Sequence, residues 1–270
     1  MRKGFVCGLL TLLAIPVAFA TQSKGEDLAP NLAKALTKAK VKSVVVFDFI
    51  GPDEKLNRLG QDLAEGLSQS LASSGGNFHV VDQAAVLAVI QKNRVTPDVV
   101  RLPEIAWWLA RQLHADAVVT GKLSALGNEL DVGVSAARIR DGKELDAFFS
   151  VVPLTEEMQK RLENSLTQDH TDDFAKLAAN PASAPTCLRC LRPGYPEGAT
   201  ADKGRGTVLL AVLIDENGSP KQISILKPGP YGFNQAAIES VQKWMFNPAN
   251  GLDGKPMAVW MQIELTFSLF

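Results

Sequence analysis

The residues of this 270-residue chain that could do chemistry are a close cysteine pair, three scattered histidines and one aspartate inside an apolar run. Cys187-Leu188-Arg189-Cys190 has a spacing shared by metal half-sites, redox dithiols and local disulfides. A zinc site takes about four ligands. His79, His114 and His170 stand at no ligand spacing from the pair, and no second cysteine pair exists. A thioredoxin-like dithiol places its first cysteine at a helix start after a strand. Here the Pro/Ala-rich stretch Asn180-Pro181-Ala182-Ser183-Ala184-Pro185 precedes the pair and Pro193-Gly194 follows it. The reading carried forward is a disulfide that stiffens the entry to the terminal segment, with redox activity and metal binding as alternatives. The histidines have no serine or cysteine partner at a catalytic spacing, and no Gly-rich phosphate loop is present. Asp48 breaks the run Val44 to Ile50; a carboxylate near the end of a buried strand commonly caps a loop, and the alternative is that it lines a cleft. The expectation is a binding protein, with no enzymatic activity, cofactor or metal.

The composition is that of a globular, soluble protein. Hydrophobic residues make up 46% and charged residues 21%, and the formal net charge of −1 offers no electrostatic footprint for nucleic acid. Arg2 and Lys3, the apolar stretch Gly4 to Val17 and the small residues Ala18-Phe19-Ala20 form the three parts of a signal peptide over residues 1–20, with cleavage expected after Ala20. The rival is a retained anchor, for which a run under 20 residues interrupted by Pro16 is short. Cys7 precedes most of the apolar stretch, whereas a lipidated cysteine would follow it. Its loss with the signal leaves Cys187 and Cys190 as a pair in an oxidising compartment. The expected location is the periplasm; the alternative is an inner-membrane anchor with the rest of the chain facing it.

Two units position these residues. Residues 21–40 are polar and Ala/Lys-rich, with Leu28, Leu32 and Leu36 at helical spacing on a surface helix. The first unit is expected at 42–178. Its run Val44 to Ile50 suits a strand buried on both faces. Leu56, Leu59, Leu63, Leu67 and Leu71 then mark an amphipathic helix. A short strand at Phe78 to Asp82, helices at Ala84 to Gln91 and Pro103 to Leu113, and a strand at Ala115 to Thr120 follow. Two antiparallel strands turn at Arg140-Asp141-Gly142-Lys143, and a helix at 155–178 closes the unit. The order β-α-β-α-α-β-β-β implies a mixed sheet with covering helices, three-layer in character. The segments Val44 to Ile50, Leu59 to Ala64, Phe78 to Asp82 and Leu113 to Gly121 make residues 42–152 similar to the amino-terminal domain of TolB and to CsgG- and FlgO-like periplasmic domains. Residues 179–190 are expected to be a linker carrying the cysteine pair, too short to cross a periplasm.

The second unit, 191–270, has a motif at every step. Arg192-Pro193-Gly194-Tyr195-Pro196-Glu197-Gly198-Ala199 opens it, and a strand spans Gly206 to Asp215. Glu216-Asn217-Gly218 turns the chain with Gly where a positive φ is wanted. A second strand carries Ile223 and Ile225, and a helix from Phe233 to Phe246 puts Phe233, Ala237, Val241 and Trp244 on one stripe. From Met257 to Leu269 apolar residues alternate strictly with Ala258, Trp260, Gln262, Glu264, Thr266 and Ser268, which predicts a strand with its odd face on the helix and Trp260 partly exposed.

The resulting small β-β-α-β domain resembles, over residues 187–270, the carboxy-terminal domain of TonB-type energy transducers. The fold class expected for the whole chain is therefore an α/β unit followed by this α+β domain. The resemblance implies that the last strand is a sheet edge to which an extended segment of an outer-membrane transporter, the TonB box, adds as a further strand. Carried over, the partner-binding edge is Ala258, Val259, Trp260, Met261, Gln262, Ile263, Glu264, Leu265 and Thr266. The implied partner is an envelope protein or extended peptide. Residues 1–20 contain no histidine of the kind that family's membrane helix carries, and the long Pro-rich spacer is missing, so coupling to an inner-membrane motor complex is not implied. The alternatives are a membrane-anchored transducer and an envelope-assembly or ligand-binding module acting through the first unit.

Overall fold

The computed structural model describes residues 28–166, 182–200 and 204–269. The expected signal segment, with Ala20, lies outside them. In chain order the first unit comprises α1 (Leu28–Lys38), β1 (Ser43–Val46), α2 (Arg58–Ser73), β2 (His79–Val80), α3 (Gln83–Lys92), a 3-10 turn (Pro97–Arg101), α4 (Pro103–Gln112), β3 (Ala117–Leu126), β4 (Glu129–Arg138), β5 (Glu144–Pro153) and α5 (Glu156–Glu163). The sheet order is β2-β1-β3-β4-β5. β1 pairs in parallel with both β2 and β3, and β3, β4 and β5 are successively antiparallel.

Local chemistry sets the helices. The Asn57 side chain accepts from the Gly60 amide at 2.8 Å and caps α2. Asp82 does the same for α3 through the Ala84 amide. Such caps contribute about 1 kcal/mol each. Leu59, Leu63, Leu67 and Leu71 are buried, as their spacing predicts, and pack with Val44, Val46, Ala117 and Val119 on one face of the sheet. Leu28, Leu32 and Leu36 of α1 belong to this same core. The first unit therefore starts at α1 and not at Lys42, because a three-leucine stripe on an otherwise polar helix is satisfied only by burial. The closing helix ends at Glu163, short of the expected 178; residues 167–181 lie outside the described residues.

The opposite face of the sheet carries Val45, Phe47 and Val118. They pack with α3 and α4, and that core runs without a break into the second unit. There the elements are β6 (Thr186–Arg189), α6 (Glu197–Thr200), β7 (Gly206–Ile214), β8 (Pro220–Lys227), α7 (Phe233–Val241), β9 (Met245–Asn247), β10 (Ala249–Asn250), β11 (Pro256–Met257) and β12 (Val259–Phe267). The main sheet is antiparallel, in the order β12-β7-β8, and Val208, Leu210, Val212, Ile223, Ile225, Ile263 and Leu265 are buried with α7 on one of its faces. Phe233 is fully buried, stacked on Phe267 at 4.4 Å between centroids with Tyr195 edge-on at 5.6 Å.

Two local expectations need correction. The helix expected to reach Phe246 stops at Val241, because the Phe246 amide bonds the Gly218 carbonyl at 2.9 Å and β9 pairs with β6. The stretch expected to be a linker contains that β6, so the cysteine pair lies in and beside a strand of the terminal domain.

Candidate partner-binding edge

The terminal sheet has two edges, and the sequence builds them differently. β7 is the middle strand, and β12 lies antiparallel along its whole length, from Val259 opposite Ile214 to Phe267 opposite Gly206. On the other side β8 is joined to β7 by the turn at Asp215 to Ser219. Asp215 fixes that turn: its carboxylate accepts from the amides of Asn217 at 3.0 Å and Ser219 at 2.6 Å, and Lys221 Nζ lies 3.1 Å away. Burial alone would raise its pKa, but the Ser219 amide, the Lys221 ammonium and the Asn217 amide outweigh it and hold the group below the ordinary carboxylate value. Gly218 sits at φ +75°, and a Cβ there would lie 1.8 Å from the Phe246 carbonyl oxygen, so the position admits only glycine.

The β8 edge is covered by the first unit. Val95 forms a parallel bridge with Ile223; the Ile223 amide donates to the Arg94 carbonyl at 2.7 Å, and the Thr96 amide donates to the Ile223 carbonyl at 3.0 Å. Side chains extend the seam. Arg94 donates to the Pro220 carbonyl, Ser224 Oγ lies 3.1 Å from the buried Asp98 carboxylate, and Arg101 reaches the Ile225 carbonyl. Trp108 Nε1 donates to Glu239 of α7 at 3.1 Å, and Asn234 donates to Glu104 at 2.5 Å. Of the two adjacent tryptophans, expected to divide into one core ring and one contact, Trp108 is buried and also makes the inter-unit bond, while Trp107 is half-buried with Gly142 against its ring. Nothing in the periodicity announced this seam. Its one signal is Val95-Thr96 directly before Pro97, a β-branched pair held extended by the proline.

The β12 edge is different. Among the described residues no strand lies on its side away from β7. The strand has nine residues and so presents a ladder about 30 Å long. Val259, Ile263 and Leu265 of the expected edge are buried beneath the sheet, Met261 is half-buried, and Gln262, Glu264 and Thr266 are exposed. Ala258 lies just before the strand and outside the ladder. Trp260, expected to be partly exposed, is 8% exposed and stands opposite Leu213. A ring of that size next to Leu213 has apolar surface to cover, which outweighs the polar alternation of its neighbours.

Cys187 and Cys190 form a disulfide, with Cα atoms 6.0 Å apart. It closes the chain directly after β6 and so anchors the strand that pairs with β9. Asp48, expected to cap a loop, instead lines a cleft. Among the described residues, no helix is long and apolar enough to cross a membrane, and no group of three or more His, Cys, Asp or Glu side chains could hold a metal ion.

Residues 192–269 match the family model of the Gram-negative bacterial TonB protein C-terminal domain, and this part of the chain is a TonB C-terminal domain. Over 78 residues the chain is 37% identical to the protein TonB2 of Pseudomonas aeruginosa, a match covering 28% of each chain, so the alignment spans little more than a quarter of that relative. The solution structure of the Pseudomonas aeruginosa TonB C-terminal domain is similar at 26% identity, covering 32% of this chain and 88% of its own, with a TM-score of 0.28. The LpoB C-terminal domain from Salmonella enterica is similar at 18% identity, covering 46% of this chain and 95% of its own, with a TM-score of 0.39.

Proposed function

We propose that this protein is a periplasmic adaptor, exported by its amino-terminal signal, that captures an extended segment of a cell-envelope protein by strand addition to β12. An outer-membrane transporter of the TonB-dependent kind is the first candidate partner. The single observation that carries the reading is the asymmetry of the terminal sheet: the β8 edge is occupied by Arg94 to Thr96 of the same chain, while among the described residues no strand pairs with β12 on the side away from β7. A strand docking there would draw most of its affinity from backbone N–H and C=O groups. The exposed Gln262, Glu264 and Thr266 would select among sequences. The reading assigns the chain no catalytic step and no cofactor. The first unit serves as the mount that holds the edge outward.

A pair of proline substitutions tests it. Neighbouring residues of an antiparallel strand send their N–H groups to opposite sides. Of Met261→Pro and Gln262→Pro, one therefore breaks the ladder to β7 and the other removes only an outward donor. The variant that keeps the native circular dichroism spectrum should lose the partner trapped in cells by a photo-crosslinker at Glu264. Undiminished crosslinking in that folded variant would overturn the proposal, as would a partner trapped from the helix position Gln235 and never from Glu264.

A further inference from the structure

A second site lies in the first unit, away from β12. The connection from β1 to β2 runs through α2, which packs on one face of the sheet, and the connection from β2 to β3 runs through α3 and α4 on the other. The two crossovers diverge between β1 and β3, which makes the carboxyl end of that strand pair a topological switch point. Open α/β sheets bind ligands in the crevice such a point creates. At this point the ladder is interrupted. Val46 pairs with Val119 and Ile50 with Lys122, so the three residues Phe47, Asp48 and Phe49 span what Thr120 and Gly121 span on β3. A bulge of this kind re-aims a side chain, and Asp48 lines the cleft that results.

The cleft has a volume of about 260 Å³. Besides Asp48 its walls include Thr120 and Lys122 of β3, Ser135 of β4, Phe149 of β5 and Arg101 of the 3-10 turn. The hydrogen bond found for the Asp48 carboxylate is a long one, from Gln83 Nε2 at 3.5 Å. Burial, and after it the Glu65 carboxylate, push Asp48 up to about 6, the behaviour of an acid short of donors. On the facing walls Arg101 gives one of its five N–H donors to Ile225, and Lys122 meets Glu54 at 3.7 Å in a solvent-exposed pair of little strength. Thr120 and Ser135 hydroxyls lie 3.2 Å apart. The Phe149 ring is 69% exposed and crosses Gly133, 3.1 Å from where a Cβ would stand. An acceptor short of donors, two cations, two hydroxyls and one flat apolar wall are the groups that converge in small-molecule sites.

We propose that this cleft binds a small amino- or hydroxy-carboxylic acid, with the ligand's amine or hydroxyl donating to Asp48 and its carboxylate held by Arg101 and Lys122. The volume sets the size, since sites for drug-sized ligands begin at about 300 Å³. The site is independent of strand capture at β12, so either reading can fail alone.

The test is calorimetric titration of the purified chain with free L- and D-amino acids and with the sugar acids gluconate and galacturonate. At least one probe should bind with a Kd below about 1 mM. Asp48→Asn and Lys122→Ala should each weaken it about tenfold or more, and Leu87→Ser on the exposed face of α3 should leave it unchanged. Lys122 and Phe149 are exposed, so Lys122→Ala and Phe149→Ala keep the fold even if Asp48→Asn alters it. Failure of every probe to bind below about 1 mM overturns the proposal, as does binding that survives intact in both Lys122→Ala and Phe149→Ala.

Discussion

The two edges of the terminal sheet belong to one small domain yet are treated in opposite ways. β8 is sealed by a segment more than a hundred residues earlier in the chain, through backbone bonds at Ile223 and a buried Asp98–Ser224 pair. β12 pairs with β7, and among the described residues no strand lies on its other side. An open edge invites aggregation, and proteins cover, bend or charge edges for that reason. The seam covers β8, while among the described residues no strand pairs with the outer side of the nine-residue β12. The same seam fastens the terminal domain to the first unit through Arg94, Asp98, Arg101, Glu104 and Trp108.

The comparison breaks most completely if the support common to both edges is removed. Phe233 lies fully buried under β7 and stacks on Phe267 of β12, while Val241 and Ala237 of the same helix share its core with Ile223 and Ile225 of β8. Phe233→Ala should destabilise the protein by about 3–5 kcal/mol, measured by urea unfolding, and both edges should lose amide protection together. Loss confined to β12 would mean that the seam alone stabilises β8. Asp98→Ala is smaller and sharper. Asp98 is 6% exposed and its loss leaves the buried Ser224 hydroxyl without that partner, an effect of about 1–3 kcal/mol. Hydrogen exchange should accelerate at the Ile223 amide and stay unchanged across the β12–β7 ladder. Equal acceleration on both strands would show that the edges are not separable.

The sequence made the strand β12 legible and hid the seam on β8 for physical reasons. Strict alternation from Val259 to Phe267 is a period-two signal written by burial on one face, and it survives without any knowledge of neighbours. The leucines of α2 carry the helical period equally well. The seam at Arg94 to Thr96 carries no period, because three residues held by backbone bonds to a distant strand leave their trace in neither helix nor strand patterning. Trp260 misled for a related reason: its place in the alternation says solvent, while its size and the facing Leu213 say otherwise, and the larger apolar area wins. The early end of α7 at Val241 was likewise set from afar, by the Phe246 amide bonding Gly218 across the domain. At the cleft, Asp48 stood out as one polar residue in an apolar run, but Arg101, Ser135 and Phe149 come from separate elements and only the sheet order brings them to it.

The smallest effect concerns the turn that delivers β8 to its seam. Asp215 is held below the ordinary carboxylate value by the amides and ammonium around it, so the folded chain binds fewer protons at this site than the unfolded chain. Its contribution is present above the unfolded value of about 3.9 and is lost as pH falls through the depressed folded value. Asp215→Asn should therefore lower stability by about 1 kcal/mol at neutral pH, and the difference between the two proteins should shrink to nothing in strong acid. Melting curves at neutral pH and in strong acid measure both limits. If the turn matters through β8, the neutral-pH loss should nearly disappear in the Asp98→Ala background, where the seam is already loosened. Full additivity would mean that Asp215 stabilises its own hairpin and has no part in sealing the covered edge.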